Sequence, residues 1–166
     1  MDVLEELMSK RKWEKRCLRA NVAQSEGIVT CRTVKVATIY SNVLNKKVKE
    51  PVLYDAIKEV APELWDEETQ ITLNKDLMGK RNRDHDNEHS WILLLCGFAG
   101  GALNFDDGTK VEGKIEWHKM SGHSHHWNDP HEGSKYSIVL YRGTRKQNAR
   151  TIASAVRATC ERKACI

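Results

Sequence analysis

From residue 69 onward the chain reads as a succession of short apolar runs, each closed by glycine, Asp-Gly or a polar turn. They are TQITLNKD, HSWILLLCGF, GGALNFDDG, TKVEGKIEWHKM and KYSIVLYRG. Runs this short, flanked by turn residues, favour strands over helices. Several of them in close succession restrict the chain to a sheet folded on itself, a sandwich or a barrel. Within this stretch FDDGTKVEG predicts a hairpin through Asp107-Gly108, because Asp-Gly accepts the positive φ of a tight turn.

The rest of the chain is patterned differently. Residues 2–17 predict a helix, with Asp2 near its start, Val3, Leu4 and Leu7 as apolar contacts and bases toward its end. GIVTCRTVKVATIY, residues 27–40, predicts one or two strands. After Pro51, the residues Leu53, Ile57, Val60 and Leu64 recur at helical spacing, and Pro62 ends that helix. In the tail, Ala149, Ile152, Ala153, Val156 and Cys160 share one helical face. The expected architecture is therefore mainly β with flanking helices (α+β), in one domain of 166 residues. Residues 66–143 would form the core and residues 1–65 a helical and strand segment packed on it. A C-terminal helix would span 144–166. A double-stranded β-helix, the cupin-like jelly roll, fits this pattern, although periodicity alone does not select it over other sandwiches.

Composition excludes some classes of function. With 40% hydrophobic and 30% charged residues the chain is an ordinary folded protein. Its longest apolar run, Trp91–Cys96, is too short to cross a bilayer, so no membrane role is expected. Five scattered cysteines without a CxxC argue for a reducing, intracellular compartment, nuclear or cytoplasmic. The first residues lack the apolar centre of a secretory signal. A net charge of +4 is compatible with nucleic-acid contact without requiring it. Lys80, Arg81, Arg83, Arg142, Arg145, Lys146 and Arg150 are either phosphate contacts or solvating surface, and Trp91, Trp117 and Trp127 either stacking or core aromatics. GFAGGALNF lacks the lysine of a phosphate loop, and Asp106 and Asp107 read as turn residues.

The densest chemical signal is SGHSHHWNDPHEGSKYSIVLY, where His123, His125, His126 and His131 fall within nine residues. Imidazole is a common ligand for zinc and iron, yet a polar loop of histidines is also simply solvated. A zinc site built from this cluster alone would be indifferent to Asp84→Ala.

Two segments, residues 71–108 and Trp117–Tyr141, together resemble the core of the iron(II)/2-oxoglutarate dioxygenase superfamily, especially its small TET/JBP-like members. The resemblance rests on an ordered set of motifs. Leu73-Asn74-Lys75-Asp76 stands for the first strand, and Asn82-Arg83-Asp84 with Asn87 for HRDxxN. Ser90 opens the apolar strand, and Gly100-Gly101-Ala102-Leu103 supplies the double-glycine turn. Trp117, Gly122, His126, Pro130, Gly133 and Tyr136-Ser137 follow the closing motif. The resemblance implies a double-stranded β-helix binding Fe(II) and 2-oxoglutarate. Such a protein would hydroxylate a nucleic-acid base or a protein side chain. Asp84 and His126 would be metal ligands, Asn82 or His85 would take the third position, and Lys135, Asn74 and Ser137 would meet 2-oxoglutarate.

Two departures stand out. Asn82 occupies the place of the first histidine, and an amide oxygen is a poorer iron ligand than an imidazole nitrogen. Lys135 stands where an arginine is usual, offering an ammonium in place of a planar fork. The resemblance thus implies either an oxygenase with an altered ligand set or a catalytically inactive β-helix domain. The latter would serve as a structural or binding subunit of a larger assembly, such as a nucleoprotein.

Overall fold

The computed structural model describes residues 2–13, 32–39, 46–48, 50–66, 69–83 and 90–142. The expected helix over 144–166 lies outside these residues, as do Asp84 and His85. Helix α1 (Asp2–Lys10) and helix α2 (Pro51–Val60) bracket strands β1 (Arg32–Ile39) and β2 (Lys46–Val48). A single 3-10 turn, Pro62–Leu64, follows α2. Then come β3 (Thr69–Lys75), β4 (Ser90–Leu95), β5 (Phe98–Gly100), β6 (Leu103–Phe105), β7 (Lys110–Val111), β8 (Trp117–Met120), β9 (His126–Asn128), β10 (His131–Gly133) and β11 (Tyr136–Arg142).

Six strands form the larger sheet in the order β2-β1-β3-β11-β4-β8, every described pairing antiparallel. A second layer is built from β7-β6-β9 and from the pair β10-β5. The register of the larger sheet explains its two buried faces. Ile138 lies opposite Leu73 on one side and Leu93 on the other, while Ser137 lies opposite Asn74 and Leu94. Side chains alternate along a strand, so these two rows point to opposite faces.

The Leu73–Ile138–Leu93 row, with Ile71, Leu95 and Leu140, packs beneath Leu4 and Met8 of α1 and Leu53 and Ile57 of α2. Each such side chain, removed almost completely from water, contributes on the order of 1.5–3 kcal/mol. The other face meets the second layer, where Ile92, Leu94 and Met120 contact Phe98, Leu103, Phe105 and Val111. Two facing antiparallel layers braced by helices on one outer face make this a mainly β, double-stranded β-helix fold.

Helix α1 stops at Lys10, short of the expected residue 17. Just beyond it the Trp13 indole donates to the Met8 carbonyl and the Arg11 guanidinium pairs with Glu50. The first of those contacts satisfies one carbonyl at the end of the helix. Helix α2 starts on Pro51 and stops before Pro62, because a residue preceding proline is pushed out of the helical region. The Asp107-Gly108 hairpin joins β6 to β7 as expected, with Gly108 at φ +84°. The run HSWILLLCGF breaks at Cys96-Gly97, and TKVEGKIEWHKM divides into β7 and β8.

Candidate anion and metal site

A cavity open to solvent lies between the two layers. From the larger sheet it is lined by Asn74 of β3, Ile92 and Leu94 of β4, Met120 of β8, and Lys135, Ser137 and Val139 at β11. Leu103, His126 and Asn128 close it from the second layer, and Leu77 from the segment after β3. The alternation that puts Ile138 under the helices puts residues 135, 137 and 139 into the cavity. The larger sheet thus contributes amide, hydroxyl and ammonium groups beside apolar side chains, and the second layer contributes the imidazole.

Among the described lining residues Lys135 is the one lysine or arginine, and it is only 3% exposed. Its Nζ donates to the Gly101 carbonyl and lies 5.5 Å from the Phe98 ring centroid. Among the described residues no carboxylate reaches ion-pair distance of it. Burial pushes the ammonium down from 10.5 to about 8, and the charge of Asp129 opposes that only partly. A buried cation without a counter-ion favours an incoming anion. Beside it, Asn74 Nδ2 donates to Ser137 Oγ at 3.0 Å, both side chains being buried.

Gly101 makes this possible. It sits at φ +69°, and a Cβ there would lie 2.8 Å from His131 Cβ and 3.3 Å from Lys135 Cδ and Nζ. Only the bare backbone lets the lysine lie across the turn between β5 and β6.

His126 and Asn82 meet at the second layer. They form an isolated antiparallel bridge, exchanging both hydrogen bonds: Asn82 N to His126 O at 3.0 Å and His126 N to Asn82 O at 2.8 Å. Directly opposed residues project to the same face, with Cβ atoms roughly 5 Å apart. His126 is buried, and its Nδ1 lies 3.0 Å from the Ser124 carbonyl. A carbonyl only accepts, so in the neutral ring Nδ1 carries the proton and Nε2 keeps the lone pair that a metal needs.

The donors present fit a divalent ion incompletely. Among the described residues no three His, Cys, Asp or Glu side chains come together. His126 Nε2 is a strong donor and the Asn82 amide a weak one. An anion fits better, since Lys135, Ser137 and Asn74 lie together on the larger sheet.

The histidine cluster disperses. His125 Nδ1 lies 3.1 Å from Asp106, a carboxylate that also holds Arg81 and titrates below the ordinary carboxylate range chiefly because of it. His123 is exposed. His131, expected as a loop residue, instead opens β10 with its side chain 6% exposed, 3.6 Å from Asp76 Oδ1. A zinc site built from the cluster alone is therefore not formed. Trp91 and Trp117 pack against the helix-side core, which leaves Trp127, half-buried on β9, of the three tryptophans considered for stacking. Sequence reasoning missed Asp76 as more than a motif position: its carboxylate accepts the Lys135 N–H at 2.9 Å.

No family model and no curated protein matches the chain. Among solved structures it is similar to an oxidoreductase of the 2OG-Fe(II) oxygenase family from Burkholderia pseudomallei. That TM-score is 0.56, at 10% identity, covering 86% of this chain and 78% of that one. It is also similar to a prolyl-4-hydroxylase from Pseudomonas putida, with a TM-score of 0.48, 16% identity and coverage of 86% and 87%. A cupin superfamily protein from Desulfitobacterium hafniense gives 0.38 at 11% identity, with coverage of 80% and 98%. At such identity the first likeness shows a shared fold, and the two looser ones add nothing to it.

Proposed function

We propose that this chain is an iron(II)/2-oxoglutarate oxygenase-like protein whose cosubstrate pocket is kept and whose metal centre is weakened. Lys135 would take the far carboxylate of 2-oxoglutarate, with Ser137 and Asn74 beside it. Asp84 and His126 would hold iron, Asn82 or His85 standing at the third position. Iron, when bound, supplies oxygen activation for hydroxylation of a nucleic-acid base or a protein side chain. The TET/JBP-like motifs favour the base.

One observation carries the reading: a buried ammonium, with no carboxylate partner among the described residues, faces a cavity whose opposite wall presents an imidazole with its outer nitrogen free to ligate. Asn82 in bridge contact with His126 favours a second reading, a β-helix domain that binds the dicarboxylate without turnover.

Calorimetry separates them. Lys135→Met is expected to weaken 2-oxoglutarate binding by roughly ten- to a hundredfold, the worth of a charge-assisted hydrogen bond, while Lys135→Arg retains it. Asn82→His is expected to tighten anaerobic iron(II) binding at least about tenfold, as an imidazole replaces an amide. Unchanged 2-oxoglutarate affinity in Lys135→Met would overturn the cosubstrate assignment. Turnover by the parent chain would exclude the second reading.

A further inference from the structure

We propose that Asp76 and His131 form a proton-accepting pair behind Lys135, so that an anion seated on the Lys135 ammonium is bound together with a proton on His131. This rests on the reading of Lys135 as the carboxylate-binding group.

The geometry joins the three residues through short contacts. Asp76, at φ +50° just after β3, clamps the backbone of residue 135 from both sides. Its Oδ1 accepts the Lys135 N–H at 2.9 Å, and its own N–H donates to the Lys135 carbonyl at 2.8 Å. The same Oδ1 lies 3.6 Å from His131 Nε2, too long for a hydrogen bond to a neutral ring but close enough for an ion pair. His131 Nδ1 is buried with no hydrogen-bond partner among the described residues. His131 and Lys135 both lean on Gly101, so the imidazole and the ammonium share one small enclosure.

Among the described residues two charged groups act on His131 directly, and others lie one contact further out. Asp76 directly follows β3, and Lys135 directly precedes β11. From β5 comes the Phe98 ring, edge-on at 6.4 Å, whose face and carbonyl also carry Lys114. Asp129, before β10, acts on Lys135, and Glu132 on β10 itself is exposed. Burial and then the Lys135 charge hold the imidazole below its ordinary range, while Asp76 pulls it upward.

An anion on Lys135 cancels the second of those two depressing causes and leaves Asp76 in place. The imidazole then takes a proton from solvent, its Nε2–H pairs with Asp76, and no other bond is made or broken. Binding of a dicarboxylate should therefore tighten as pH falls, by up to about tenfold per pH unit for one linked proton. Asp76 and His131 are positioning residues in this scheme, since neither lines the cavity.

The test is an NMR titration of the His131 ring, assigned through His131→Gln, between about pH 5.5 and 7.5, where an imidazole titrates and Lys135 is already charged. Lys135→Met without ligand should raise the midpoint by roughly one pH unit. Lys135→Arg should leave it low, and Asp76→Asn should lower it. Saturating 2-oxoglutarate should raise it in the parent, and His131→Gln should bind 2-oxoglutarate without the pH dependence. An unmoved midpoint in Lys135→Met, or in the parent saturated with 2-oxoglutarate, overturns the proposal. A midpoint that moves in Lys135→Met in a chain that binds no 2-oxoglutarate supports the coupled pair and removes the cosubstrate reading.

Discussion

Replacing Lys135 by methionine offers a test of the site that needs no ligand. The folded chain holds this ammonium at about 8 against an ordinary 10.5 because burial strips its water. That drop corresponds to ~3 kcal/mol that the charged lysine withholds from the folded state below pH 8. Methionine, of similar length, removes the charge but leaves the Gly101 carbonyl without its donor, a loss of about 1–3 kcal/mol. At pH 7 the variant should therefore lie between equal to the parent and ~2 kcal/mol more stable.

The pH dependence is sharper than the absolute value. Between about 8 and 10.5 the unfolded chain still binds the lysine proton and the folded chain has released it. The unfolded state then binds more protons, so stability of the parent rises with pH across that window. The methionine variant lacks this rise, and its advantage should shrink by up to ~3 kcal/mol from about pH 7.5 to 10.5. Urea unfolding followed by tryptophan fluorescence at successive pH values measures the difference directly. Other groups, such as Tyr54, which burial raises, cancel in the comparison. Parallel pH profiles for the two proteins would refute a buried, charge-bearing Lys135.

Two further outcomes follow from backbone geometry. Gly101→Ala should destabilise by about 2–4 kcal/mol, since the left-handed penalty adds to a 2.8 Å approach on His131 Cβ. Gly108→Ala, at φ +84° with open space around it, should lose only ~1 kcal/mol. Equal losses at the two positions in chemical denaturation would contradict the packing described at Gly101. Ile115 is a half-exposed β-branched residue at φ +67°, so Ile115→Gly should stabilise by about 1 kcal/mol in the same assay.

Much of the larger sheet and of α2 was legible because its signals are local. TQITLNK alternates, KYSIVLY alternates over its first half, and Leu53 and Ile57 lie one helical turn apart. SWILLL does not alternate, and the structure supplies the reason: Leu93 and Leu95 meet the helices while Ile92 and Leu94 meet the second layer, so neither face needs polar residues. Strands β5, β9 and β10 were not legible. Each is three residues long, too short for a period, and each pairs with a partner far away in sequence. Lys135 and Ser137 were singled out through a family resemblance. Nothing local in SGHSHHWNDPHEGSK distinguishes the buried His131 from the exposed His123.

What the amino-acid order determined by itself is most strands of the larger sheet, β2 excepted, and the two faces of those that alternate, as TQITLNK does, since side-chain alternation is a property of adjacent residues. It also determined where the chain turns, because Asp-Gly and Gly-Gly permit φ angles that other residues resist. Only the tertiary structure decided which polar side chains lose their water. Lys135 is an unremarkable cation until two layers close over it, and His131 a loop residue until Asp76 and Gly101 reach it from elsewhere in the chain. Desolvation is set by what covers a group, and the covering residues are distant in sequence.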